Sequence, residues 1–364
     1  VDVTLVLTHD CNLACDYCYA GEKTRRPMSD AVLTRAIELA FSDGSERVEL
    51  ALFGGEPLLE WQKLTRAVAL ARTQAALTRT ELSISVTTNG ALVDAERARF
   101  LVENEVFVAL SLDGVRAAHE ATRPTRGGRS SFDAVVRGLD RLVDAGARVM
   151  TISVVDPRNV ALLGDSARFI ASRGVQRLIF NPNYGADWSD EALAVWRHGF
   201  AQLAGLWLER RLERQPLYIN VIDDKLIVAV KGGYEARDRC PVGHGRVAVA
   251  PSGNLYPCER LVADDEDAAL RIGDVFSGVD GGRLMCIDAQ RGPVNEECGG
   301  CGVRESCSSS CACANRAETG ELGVAGGVQC WHEQTAIEFA DAAAAALLRA
   351  ERPGFVARLR GEVA

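Results

Sequence analysis

Between Val3 and Glu213 short apolar runs alternate six times with helical stretches. The runs are Val3–Leu7, Val48–Phe53, Leu82–Thr87, Val106–Leu112, Arg148–Val155 and Arg177–Phe180. The helical stretches are 28–42, with Ser29 or Asp30 near its start, then 58–77, 94–103, 131–145, 160–173 and 189–213. Parallel strands need helical crossovers, so this alternation predicts an α/β fold built on a parallel sheet. The runs are mostly continuous in apolar residues, as in a sheet covered on both faces. Six units fall short of the eight of a closed barrel. The expectation is therefore an open, TIM-like partial (β/α)6 barrel, with its site beyond the C-terminal ends of the strands.

Those strand ends carry unusual residues. The first runs into Cys11-Asn-Leu-Ala-Cys15-Asp-Tyr-Cys18. Three thiolates on one loop can hold three irons of a cubane [4Fe–4S] cluster and leave the fourth iron open to a ligand. A zinc knuckle, with His9 as a fourth ligand, is the alternative for the same loop. The second strand ends in Gly54-Gly55-Glu56-Pro57, where the glycines admit close backbone approach and Glu56 brings an acceptor for an ammonium group. A plain strand-to-helix turn, with Pro57 at the first helical position, is the simpler reading of that stretch alone. Thr88-Asn89-Gly90 and Ser111-Leu-Asp113-Gly114 end the third and fourth strands; Asn-Gly and Asp-Gly are also ordinary turn formers.

The Cys-x3-Cys-x2-Cys loop followed one strand later by Gly-Gly-Glu-Pro resembles the radical S-adenosylmethionine (radical SAM) superfamily. The resemblance implies that the open iron chelates S-adenosylmethionine and that its reductive cleavage gives a 5′-deoxyadenosyl radical. It implies contact of Gly54, Gly55, Glu56 and Pro57 with the methionine amino group. Asn89, Ser111 and Asp113 would line the ribose and carboxylate, with Tyr17 near the adenine. Arg123 is a candidate partner for the carboxylate, since a guanidinium fork matches that group; a solvated surface arginine is the alternative.

From about residue 235 glycines and cysteines become dense, and regular helices are not expected until an Ala-rich one at 332–350. A long stretch this poor in periodic apolar pattern needs a staple other than a large core. Cys240-x12-Gly253-x4-Cys258, then Cys298-x2-Cys301-x5-Cys307-x3-Cys311, then Cys330 resembles the SPASM domain of peptide-modifying radical SAM enzymes. That resemblance implies two auxiliary Fe–S clusters, the first on Cys240, Cys258 and Cys311, the second on Cys298, Cys301, Cys307 and Cys330. The first set lacks a fourth cysteine at the place where some relatives have one. An open iron, Cys286, Cys313 or His244 would complete it; Cys286 and Cys313 otherwise read as plain thiols. Glu259 follows Cys258, where sulfatase-maturing relatives have an aspartate that takes the substrate proton. It is the candidate catalytic base, with an exposed pair to Arg260 as the alternative.

The expected organisation is a radical SAM partial barrel over 1–220, a connector over 221–239, an irregular Fe–S-stapled SPASM domain over 240–335 and a C-terminal helix over 336–364. Twelve cysteines in a chain of 364 residues without a visible export signal read as metal ligands in a reducing cytoplasm, not as a disulfide framework. The net charge of −9 without a long basic run argues against nucleic acid as a partner, and no apolar stretch is long enough for a membrane. The expected partners are a ribosomally made precursor peptide and a one-electron reductant of flavodoxin or ferredoxin type. With the first strand starting at Val3, the expectation is that a leader-binding domain is absent or supplied as a separate protein, the precursor being gripped elsewhere or by that partner. The expected function is hydrogen abstraction from a precursor side chain to form an intramolecular crosslink. The alternatives are formylglycine generation in sulfatases, peptide epimerisation, or a non-catalytic zinc-stapled binding module.

Overall fold

A computed structural model describes residues 2–235, 238–240, 242, 245–291, 295–308 and 311–359. Six parallel strands carry the first part: β1 (Asp2–Val6), β2 (Arg47–Phe53), β3 (Glu81–Thr88), β4 (Phe107–Ser111), β5 (Val149–Val155) and β6 (Arg177–Pro182). The crossovers are α1 (Asp30–Ala40), α2 (Trp61–Thr78), α3 (Ala95–Glu103), α4 (Arg116–Glu120), α5 (Phe132–Asp144), α6 (Leu163–Ser172) and α7 (Asp190–Leu212). Their starts follow from local chemistry. Ser29, Asp94 and Ser189 each accept a backbone N–H of the first turn, satisfying a donor that the helix itself leaves unpaired. Of the two residues considered for the start of α1, Ser29 is the cap.

The expected α/β architecture is present. The sheet continues past the six strands at both ends and does not close among the described residues. β7 (Tyr218–Ile219) adds parallel to β6, and β8 (Arg246–Val249) adds parallel to the far side of β1. Three short antiparallel strands follow β8: β9 (Asn254–Tyr256), β10 (Gly273–Asp274) and β11 (Gly278–Val279).

The strands are less uniformly apolar than expected, because only their outer face packs on helices. On β3, Ile84 and Val86 are buried, while Ser83, Ser85 and Thr87 face a cavity inside the curved sheet. Ala51, Ala109 and Ser111 line the same cavity. These small side chains of β2, β3 and β4 leave room that Leu or Ile would fill, while Phe53, Phe107, Met150, Ile152 and Val154 give the same cavity an apolar wall.

The later part holds more helix than expected. α8 (Asn220–Lys231) occupies the start of the supposed connector and ends at Gly232 in a left-handed conformation, φ 84°. α9 (Gly281–Gln290) and α10 (Ala312–Thr319) lie in the supposedly irregular stretch, and α11 (Gly327–Leu359) starts five residues before 332. α9 buries only Ile287, so it carries no amphipathic period to read. α11 packs on α7 through Trp196, Phe200, Trp331, His332 and Phe339, and on α8, where Glu333 meets Lys225. No helix among the described residues is long and apolar enough to cross a membrane.

Candidate active site

The chain leaving β1 runs as Thr8–Asp10 across the end of β2, and Gly54 and Gly55 let it do so. A Cβ on Gly55 would lie 2.2 Å from the Asp10 carbonyl oxygen, and one on Gly54 2.6 Å from that of Thr8. The N–H of Gly55 donates to Thr8 O at 2.8 Å, and that of Glu56 to Asp10 O at 2.8 Å. This fixes the root of the cysteine loop. Cys11, Cys15 and Cys18 then line one cavity of about 1350 Å³ together with Tyr17, Gly54, Gly55, Asn89, Ser111, Arg123 and Glu259.

Three expected contact residues lie behind the wall instead. Glu56 is fully buried; its Oε1 accepts from Leu58 N at 2.9 Å and Thr88 Oγ1 at 2.7 Å, and its Oε2 from Asn89 N at 2.7 Å. Its acceptors are thus used in holding the Thr88-Asn89 turn, not offered to the cavity. Burial raises its carboxyl pKa, and these hydrogen bonds oppose the rise. Pro57 is buried beneath the same turn. Asp113 is buried as well. Its Oδ2 takes the Tyr17 hydroxyl at 2.6 Å and that of Thr122 at 2.8 Å, and Oδ1 takes Val154 N at 2.8 Å.

Arg123 is not a solvated surface group. Its Nε lies 3.0 Å from Asp113 Oδ2, its guanidinium stands 5.1 Å from the Tyr17 ring centroid, and Nη1 is 3.9 Å from Cys15 Sγ. Burial raises the Cys15 thiol pKa, and the Arg123 charge offsets part of that. Burial pushes the Cys11 thiol up to about 11. The Asn89 side-chain amide bonds Asn12 Oδ1 at 2.8 Å and reaches Cys11 Sγ at 3.8 Å. Lys23 Nζ lies 2.6 Å from Cys18 Sγ. His9 is buried away from the cavity lining. Among the described residues no three His, Cys, Asp or Glu side chains converge as they would on a single metal ion.

A second cavity, of about 330 Å³, adjoins the first; Asn181, Arg246, Glu259, Arg260 and Cys313 line both. Cys240, Cys258 and Cys311 also line it. Glu259 has no exposed pair with Arg260. Its Oε2 accepts from the Cys258 thiol at 3.5 Å, and Arg260 stands 5.1 Å from the Tyr19 ring centroid. Cys298 and Cys301 lie near enough to Cys330 to help raise its thiol pKa, and Cys307 lies in the field of Lys225. Cys286 is exposed on α9 and lines neither cavity. His244 lies outside the described residues.

Arg246, which bonds Asp2 Oδ2 at 3.5 Å, was not foreseen at the joint between the cavities. Nothing local distinguishes it from any arginine opening a strand. Asn12 gives no local signal either.

Residues 5–170 match the model of the radical SAM superfamily. A serine-type anaerobic sulfatase-maturating enzyme of Klebsiella aerogenes is 26% identical over 320 residues, 83% of this chain and 76% of that protein. The mycofactocin maturase MftC of Mycobacterium tuberculosis is 28% identical over 326 residues, 86% of this chain and 78% of that protein. Among solved structures, native anSMEcpe with bound AdoMet and Kp18Cys peptide superposes with a TM-score of 0.77, covering 97% of this chain and 100% of that one at 20% identity.

Proposed function

We propose that this chain, a radical SAM enzyme, is a peptide maturase that takes a hydrogen atom from a side chain of a ribosomally made precursor and closes an intramolecular crosslink. The observation that carries the reading is the cavity shared by Cys11, Cys15, Cys18, Glu259 and Cys313, beside a second cavity lined by Cys240, Cys258 and Cys311. A crosslink is a two-electron oxidation, so a site that starts it with one hydrogen atom needs a neighbouring site for the second electron. The donor set fits. Three thiols of one loop face a space large enough for a cluster, a cofactor and a side chain, and the family's [4Fe–4S] cluster takes thiolate ligands.

In this reading Cys11, Cys15 and Cys18 hold the cluster that binds S-adenosylmethionine, which together supply a primary carbon radical. Gly54, Gly55, Asn89 and Ser111 present backbone and small polar groups to the cofactor. Glu56 and Asp113 hold those walls in place. Arg123, neutralised by Asp113, keeps positive charge beside Cys15. Glu259 accepts the proton that leaves the substrate. Cys240, Cys258 and Cys311, and Cys298, Cys301, Cys307 and Cys330, hold two auxiliary clusters. Electrons come singly from a flavodoxin- or ferredoxin-type protein in the cytoplasm.

Formylglycine generation is the second reading, favoured by the sulfatase-maturating relative and by a carboxylate directly after Cys258 at the cavity joint. Reduced, reconstituted enzyme with S-adenosylmethionine and a candidate peptide separates the two. A product lighter by two hydrogens that no amine reagent traps supports the crosslink. An aldehyde trapped by an amine reagent supports formylglycine. Unchanged mass in ordinary water with deuterium uptake in heavy water overturns both in favour of epimerisation. Joint replacement of Cys11, Cys15 and Cys18 by Ala abolishes 5′-deoxyadenosine while iron remains at the other cysteines; persistent cofactor cleavage overturns the assignment.

A further inference from the structure

The three cysteines read as ligands of the first auxiliary cluster leave its fourth position unassigned, and the packing around α10 supplies a fourth. We infer that Cys313 completes this set, so that Cys240, Cys258, Cys311 and Cys313 enclose one iron–sulfur cluster. The inference rests on the reading that auxiliary clusters are present. Cys311 caps α10 and Cys313 lies in its first turn. Cys313 Sγ is 3.2 Å from Cys258 Sγ, and both residues are buried. The Cys311 thiol is hydrogen-bonded to Cys240 and to Cys313, which links the four sulfurs in one continuous group. All four line the cavity of about 330 Å³. Here the thiols close on one another, and among the described residues no three His, Cys, Asp or Glu side chains are set as around a single metal ion; thiolates alone are the ligand set that a cluster takes. The other spare cysteine, Cys286, is exposed and faces neither cavity. The Arg260 guanidinium lies in the field of Cys258, Cys311 and Cys313 and balances part of the negative charge of four thiolates.

The functional consequence is specific. A cluster closed by four thiolates would have no open iron, so it would serve the substrate as an electron acceptor and not as a ligand, with Glu259 and Arg246 at the joint between the two cavities. The loop of Cys11, Cys15 and Cys18 is then the one open cluster of this pair of cavities.

The test starts from the variant with Cys11, Cys15 and Cys18 replaced by Ala, reconstituted anaerobically, which isolates the auxiliary clusters. Adding Cys313→Ala should lower iron per chain by between about one, an opened corner, and about four, the whole cluster. It should also change the electron paramagnetic resonance of the reduced protein. Cys313→Ser, which keeps the shape, should retain more iron but shift that spectrum. Adding Cys286→Ala should change neither. Unaltered iron, sulfide and spectra in both Cys313 variants overturn the inference, as does the same loss produced by Glu259→Ala in their place. Zinc or no metal in the starting variant refutes the auxiliary-cluster reading itself. Dependence of 5′-deoxyadenosine formation on Cys11, Cys15 and Cys18 in the otherwise unaltered protein is judged separately.

Discussion

At the scale of the residue, the site depends on what glycine lacks. Residues 8–10 lie against Gly54 and Gly55 at a separation that no side chain permits. Gly55→Ala should therefore push the Cys11 loop off β2 and lower 5′-deoxyadenosine formation by at least about tenfold, a cost of ~1.4 kcal/mol or more in barrier. Gly127→Ala, whose Cβ would meet nothing within 4 Å, should leave it unchanged. Turnover in the two variants, with iron counted in each, is the measurement. The glycines read from the sequence as room for a ligand, and it is residues 8–10 of the chain itself that they admit; the cavity positions of the three cysteines, Tyr17, Asn89, Ser111 and Arg123 were legible. The direction of Glu56 and Asp113 was not. A carboxylate at a strand end can face a ligand or turn back to pair with neighbours. Here the partners that turn it back, Thr88 and the Asn89 N–H for one and Thr122 and Tyr17 for the other, come together only in the folded chain.

At the scale of the element, one buried ion pair joins the cysteine-rich part to the barrel. Lys225 on α8 meets Glu333 on α11 at 2.6 Å, and Glu333 also accepts the Ser308 hydroxyl at 2.8 Å and its N–H at 2.5 Å. Ser308 lies between Cys307 and Cys311, so the pair anchors the loop that carries them. Lys225→Met leaves a buried carboxylate without its cation and should cost about 3–5 kcal/mol. The double change Lys225→Met with Glu333→Leu should cost less. Denaturant midpoints of the two variants decide it, and equal losses would show that the anchor lies elsewhere. The barrel strands and helices were readable because each buries one periodic face. α8, α9 and α10 were not: α8 buries Asp223 and Lys225 beside Val221, Ile222 and Val228, α9 buries Ile287 alone, and α10 buries the consecutive run Ala312–Asn315, so none shows a regular apolar stripe in the sequence.

At the scale of the molecule, two buried histidines set a limit in acid. Burial lowers His119 to about 4 and His332 to about 4, against 6.5 in an unfolded chain. The unfolded state then binds more protons between pH 6.5 and 4, so stability falls as pH falls through that window. Each histidine accounts for ~3 kcal/mol at most. Around His119 the Arg123 charge adds to the depression, and Asp113 and Glu120 oppose it; around His332, Glu333 opposes it and Lys225 adds to it. His332→Gln should show a shallower loss of stability between pH 6.5 and 4 than the parent protein when unfolding is measured at each pH; an unchanged slope would refute this. Six strand–helix units were enough to foresee an open α/β sheet. The extension of that sheet by β8 was not foreseeable, since Arg246–Val249 acquires its neighbour from the opposite end of the sequence.

That extension has a cost during synthesis. β1 sits between β2 and β8, with Asp2 opposite both Glu49 and Arg246. On the ribosome one side of β1 is paired early, while the other waits until the chain has grown through Arg246. Until then an apolar strand presents an open hydrogen-bonding edge directly before the thiols of Cys11, Cys15 and Cys18. The nascent chain is thus open to mispairing along β1 in the stretch that leads straight into these thiols, and that edge closes only when β8 docks.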